Sequence, residues 1–178
     1  MRTTRISWTG IGSAETIERC TTEYSDEGIR MVGEVDGGDE GCRYAIRLGV
    51  DGGFRHATVA AGERSIAIEN IEGTWTVDGE PRPDLAGATD LDITATPATN
   101  ALPIRRLRLA VGSRDDIEVA WVQVPSLEVR LSRQRYTRVG PRAYCFESRD
   151  HDFRRTLTVD EDGFVLSYPG LFERVTGS

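Results

Sequence analysis

RYAIRLGV, residues 43–50, places Tyr44, Ile46, Leu48 and Val50 on one face of an extended chain and Arg43 and Arg47 on the other. That two-residue period is the pattern of a half-buried antiparallel strand. The same alternation recurs in both directions from it. In IRMVGEV (29–35), Ile29, Met31 and Val35 share a face, and in RSIAIENI (64–71), Ile66 and Ile68 do so. Between such segments stand VDGG at 35–38 and 50–53, VDGE at 77–80 and VDEDG at 159–163. Asp-Gly supplies the positive φ angles that tight hairpins need.

Farther along, DIEVAWVQVP (116–125) is apolar on both faces: Ile117, Val119 and Trp121 on one, Ala120, Val122 and Val124 on the other. This places it centrally in the sheet. SLEVRLSRQRYTRV, RAYCFES, FRRTLTV and FVLSYPGLF continue the strand pattern. Apart from one helical turn expected near 97–102, after Pro97, no segment keeps a helical period over about 11 residues. The reading is all-β, one domain over residues 1–178, of roughly a dozen short strands. A single antiparallel sheet of that size with little helix must curve and curl on itself, into a barrel that is either filled or lined around a cavity.

The 178 residues carry a net charge of −7 and a pI near 5.0, and all 22 basic residues are arginine. No broad basic field is present, which argues against nucleic acid as a partner. Cys20, Cys42 and Cys145 are odd in number and widely spaced, so neither a disulfide framework nor a zinc site is expected. The N-terminal stretch lacks the apolar core of an export signal, and no apolar run reaches the ~20 residues of a membrane span. These readings lead to an expected cytoplasmic location.

One segment breaks the pattern. GATDLDITATPATNALPIRRL (87–107) gathers Asp90, Asp92, Asn100, Arg105 and Arg106. Strand alternation sets Asp90 and Asp92 on one face, and puts Arg105 on the apolar face of Leu107 and Leu109 while Arg106 points away. An arginine aimed at an apolar interior needs a carboxylate partner. Asp92 is the first candidate and Asp90 the second. Such a pair serves either as a structural clamp or as part of a ligand site. Pro97 and Pro103 cannot donate to a ladder, so the residues between them read as an irregular connection, with Asn100 suited to left-handed geometry.

The same segment resembles the signature of a bacterial domain family described as glycolipid-binding and formerly one of unknown function. That signature runs Gly-Cys, then Asp-Val-Asp-Ile, then Thr-Pro-Phe-Thr-Asn-Thr-Leu-Pro-Ile-Arg-Arg-Leu. GTWTVDG (73–79), VPSLEV (124–129), QRYT (134–137) and VDEDGFVLSYPGLFERV (159–175) agree in order. The sequence departs from the signature at Ala88 or Thr89, near the family's Cys, at Ala98 in place of Phe and at Ala101 in place of Thr. The resemblance implies a curved antiparallel sheet wrapped into a partly open barrel, similar to bacterial lipoprotein-carrier folds. It also implies binding of a glycolipid or other amphiphile without a cofactor.

Three functions compete. In the first, a binding module, Asp90, Asp92, Asn100, Arg105, Arg106, Gln134 and Tyr136 form the polar contacts, with Trp75, Trp121 and Phe146 as wall residues. The second is a hydrolase using Asp90 and Asp92 as acid and base, although no nucleophile elbow, P-loop or zinc motif occurs and a non-enzyme is expected. His56 reads as a surface strand residue, and His151, between Asp150 and Asp152, as a solvated turn. The third is a structural domain with a filled interior and an edge free for homodimerisation. A cavity of a few hundred Å³ is the feature that separates the first from the third.

Overall fold

A computed structural model describes residues 1–11, 15–38 and 41–175; residues 12–14, within the N-terminal stretch read above, lie outside it. The alternating segments become the strands of one sheet, with fifteen strands among the described residues. The first eight are β1 (Arg2–Gly10), β2 (Thr16–Ser25), β3 (Gly28–Asp36), β4 (Cys42–Leu48), β5 (Phe54–Ala61), β6 (Arg64–Ile71), β7 (Thr74–Val77) and β8 (Glu80–Pro81). Then come β9 (Asp90–Ile93) and a helical insert, a 3₁₀ turn at Ala98–Asn100 running into α1 (Ala101–Leu107). The remaining strands are β10 (Arg114–Gln123), β11 (Glu128–Gly140), β12 (Ala143–Ser148), β13 (Arg154–Val159), β14 (Val165–Tyr168) and β15 (Phe172–Arg174). Among the described residues no helix is long and apolar enough to cross a membrane.

In space the order is β8 to β1, then β15 back to β9, so nearly every strand lies beside its sequence neighbour. All pairs are antiparallel except β9 with β10. The turns do what their residues dictate. Asp78 and Gly79, with φ of 51° and 81°, form the doubly positive turn of the β7–β8 hairpin. Glu72 and Gly73 repeat it between β6 and β7, a signal outside the Asp-Gly set. Val50, expected on the apolar face, is 78% exposed because β4 ends at Leu48 and Val50 enters the turn.

The sheet does not close. Its two ends, β8 and β9, are strands of two and four residues. Side chains reach across the gap in place of ladder hydrogen bonds. The Arg82 guanidinium donates to the carbonyl of Val129 (2.8 Å), Arg64 to that of Pro125 (2.8 Å), and the Trp75 indole to that of Ala88 (3.1 Å).

Two apolar cores result. The larger collects inward residues of β1 to β7, including Trp8, Met31, Ile46, Phe54, Ile68 and Trp75. The smaller is built on β10 to β14 and includes Val119, Tyr136, Phe146, Leu157 and Tyr168. β10 feeds both: Ala120 and Val122 enter the first core, Ile117 and Val119 the second. This corrects the central placement. The strand is apolar on both faces because it is a wall between two cores, while it lies next to last in the sheet order.

The insert at 94–107 is the other departure. The sequence predicts one helical turn near 97–102 and an extended chain after it, but the helix runs to Leu107. Pro103 falls in its first turn, where no intrahelical hydrogen bond needs the missing N–H. Asn100 is right-handed, at φ −60° and ψ −27°, and not left-handed.

Candidate functional site

The motif residues Thr96, Thr99 and Asn100 each dock onto a polar group of the sheet. The Thr96 hydroxyl donates to Glu18 (2.6 Å), which sits on the inward face of β2 and also accepts from Tyr44 (2.5 Å). The Thr99 hydroxyl donates to Asp92 (3.0 Å), whose other oxygen accepts from the Gln134 amide (2.7 Å). The Asn100 amide donates to the Tyr136 hydroxyl (2.9 Å). Ala98, Ala101 and Leu102 fill the larger core, and Ile104 the smaller. The segment is thus a plug whose apolar residues serve two cores and whose polar residues add hydrogen bonds to buried groups of the sheet, while the second Glu18 oxygen stays without one among the described residues. Ala98 is fully buried, so the aromatic missing there belongs to the filled core and not to a ligand wall.

Beside this plug lies an open cavity of about 550 Å³. Its floor is Asp92, Thr94, Asn100 and Gln134, and its walls are Trp121, Phe146, Phe153, Tyr168 and Phe172. The aromatic rings form a connected ribbon. Tyr136 meets Phe146 edge-on at 5.4 Å, Phe146 meets Phe153 at 5.9 Å and Tyr168 at 6.4 Å, and Tyr168 meets Phe172 at 6.3 Å. Edge-to-face contacts at these separations are favourable and leave ring faces available. Strand register explains the polar floor. Ser132, Gln134 and Tyr136 alternate on one face of β11, opposite Ser148 and Phe146 of β12.

Desolvation raises the Asp92 carboxyl above the usual carboxylate range, and its Gln134 and Thr99 hydrogen bonds offset part of that. The Tyr136 and Tyr168 hydroxyls are pushed up by burial and by the nearby Asp92 charge. No cation of the described residues pairs with Asp92.

Of the seven residues expected to form the site, Asp92, Asn100 and Gln134 line the cavity, and Tyr136 supports Asn100 from beneath. Asp90, Arg105 and Arg106 do not line it. Asp90 is fully buried and clamped by Arg106, with contacts of 2.6, 3.1 and 3.2 Å. The expected pairing of Arg105 with Asp92 is therefore overturned. Strand alternation gave the carboxylate to the wrong arginine, because the helix turns Arg106 toward Asp90 and leaves the buried end of Arg105 among aromatic rings. Arg105 instead lies over the rings of Tyr24 (4.9 Å) and Phe164 (5.7 Å). Of the two aspartates, Asp90 is thus held by an arginine and Asp92 by the neutral donors Thr99 and Gln134.

Trp121 and Phe146 are wall residues as expected, but Trp75 is stacked on Phe54 at 5.1 Å inside the larger core. His151 sits at the exposed rim, and His56 lies on β5 across from Arg47 and Glu69. Phe153, Tyr168 and Phe172 escaped the sequence reading as wall residues. The signal available was the closing SYPGLF stretch, whose aromatics flank a turn.

A search of curated proteins returned no match. The solved structures include a DUF1089 family protein from Pseudomonas aeruginosa that is 30% identical, over 98% of this chain and 93% of that one, with a TM-score of 0.72. The family model described as "Putative glycolipid-binding" matches residues 5–174, the sheet, the plug and the cavity together, and the chain belongs to that family.

Proposed function

We propose that the protein is a binding module, not an enzyme, and that it holds an amphiphile of the glycolipid class in the 550 Å³ cavity. The observation that carries this reading is the joining of an aromatic ribbon to a floor of one carboxylate and two amides in a single open cavity. Ligand pockets span roughly 300–1,000 Å³ and combine apolar walls with a few placed polar groups. The aromatic wall takes the apolar part of the ligand or the C–H face of a sugar ring. Asp92, Asn100 and Gln134 take hydroxyl groups. The family assignment supports a binding role of this kind.

Native mass spectrometry of protein purified from its host, followed by solvent extraction, tests the proposal. The expected result is a co-purifying lipid that is lost when Trp121→Ala and Asn100→Ala are combined. Protein free of ligand that also fails to bind a fluorescent fatty-acid probe at micromolar concentration would overturn it.

A further inference from the structure

The floor of the cavity has a marked chemical polarity. Both oxygens of Asp92 are held only by neutral donors, Thr99 and Gln134, and each keeps acceptor capacity. The Asn100 amide spends an N–H on Tyr136 and leaves its carbonyl oxygen without a partner among the described residues. Gln134 likewise spends an N–H on Asp92. The Thr94 hydroxyl accepts the Val124 N–H (2.9 Å), so its proton is free to donate. The floor thus offers both acceptors and donors, the second N–H of each amide among them, and its one carboxylate is Asp92.

The two arginines of the plug do not neutralise that carboxylate, and Arg155, over the Phe153 ring at 4.9 Å, stands behind the wall and not on the floor. Arg106 is committed to Asp90, and Arg105 lies over Tyr24 and Phe164. At the rim, Arg130 is held by Glu128, and Asp150 adds a second carboxylate, held by Arg133. An anionic group on the floor would face an unneutralised carboxylate in a partly desolvated site, where like charges repel strongly. A hydroxyl or ammonium group would instead donate to Asp92, and an ammonium would gain further from the aromatic faces.

Resting on the binding role proposed above, we infer that the cavity admits amphiphiles whose head groups donate hydrogen bonds, neutral or cationic, and rejects anionic ones, with Asp92 as the residue that discriminates.

Calorimetric titration with three probes of equal chain length tests this: decyl glucoside, decylammonium and decyl sulfate, each kept below its micelle concentration. The glucoside and the ammonium are expected to bind, and the sulfate to bind at least about tenfold more weakly. Asp92→Asn should bring sulfate to within about threefold of the glucoside, with Gln134 turning its amide over to preserve the floor. Sulfate binding as tight as glucoside would overturn this inference and leave the binding module standing. An unchanged preference in a folded Asp92→Asn variant would overturn the role of Asp92. Failure of all three probes would overturn the binding module itself.

Discussion

The two cores are made by the same two-residue alternation and differ in what the inward positions hold. In the first, Trp8, Met31, Ile46, Phe54, Ile68 and Trp75 are large, apolar and almost wholly shielded from solvent. In the second, Ser132, Gln134 and Ser148 interrupt the aromatic residues, and the missing volume is the cavity. Alternation decides which side chains face inward. Their sizes decide whether the interior is packed or open. One half of the protein is thus packed solid, and the other leaves an open cavity beside the plug.

The largest expected contrast is between two tryptophans. Trp8→Ala empties a packed site and orphans the Val165 carbonyl, and should cost about 3–5 kcal/mol in urea denaturation. Trp121→Ala removes a half-buried wall residue and should cost about 1 kcal/mol while weakening probe binding. Equal losses would mean that the second half is packed as tightly as the first.

The buried carboxylates sharpen the contrast, since each half has one that is bonded only by uncharged donors and touches a threonine of the plug. Burial raises Glu18 from an ordinary value of 4.5 to about 7. Because its folded value lies above its unfolded one, the stabilising contribution is full below pH 4.5 and is lost as pH rises through 7. The loss should be on the order of 3 kcal/mol, and Glu18→Gln should flatten the stability profile across that window. An unflattened profile in the variant would assign the pH dependence to another group.

The clamp comes next. Arg106→Leu strands the Asp90 carboxylate and should cost about 2–3 kcal/mol, whereas the double variant Asp90→Leu/Arg106→Leu should cost less. Arg105→Leu should cost about 1 kcal/mol, the scale of a cation–π contact. The reverse order would restore the arginine assignment expected from strand alternation.

The smallest effect belongs to the cavity floor. Asp92 is also raised by burial, so its ionised form costs stability as pH rises above the carboxylate range. Asp92→Asn should therefore be neutral or stabilising by under about 1 kcal/mol at pH 8, even as it alters ligand preference. A large loss on thermal unfolding would make Asp92 a structural residue instead of a ligand contact.

Much of this was legible from the chain. Period-two segments and Asp-Gly turns are local signals, and they returned the strands. Asp92, Asn100 and Gln134 stood in the motif segments and Trp121 and Phe146 among the large aromatics, and the structure brings these five to one cavity. What was not legible depends on one local conformation. Arg105 and Arg106 exchange roles depending on whether 103–107 is extended or helical, and a seven-residue helix with Pro103 in its first turn carries no clear period. β10 posed a different difficulty: an apolar strand between two cores has the same sequence as one in the middle of a sheet.

The order of the sheet also bears on how the chain folds. Most neighbouring strands are joined by short turns, so their pairing closes small loops at little entropic cost. The β1–β15 ladder is different, because it joins Trp8 to Arg174 and Gly10 to Phe172 across almost the entire chain. Its formation waits on the strands between. The Trp8 indole, donating to Val165 at 2.8 Å, belongs to the same late event. Contacts made after the rate-limiting barrier govern how fast a protein comes apart more than how fast it assembles. The short β1–β15 ladder, although it adds few hydrogen bonds, is thus expected to slow unfolding more than it speeds folding, and loosening it should raise the unfolding rate while leaving the folding rate nearly unchanged.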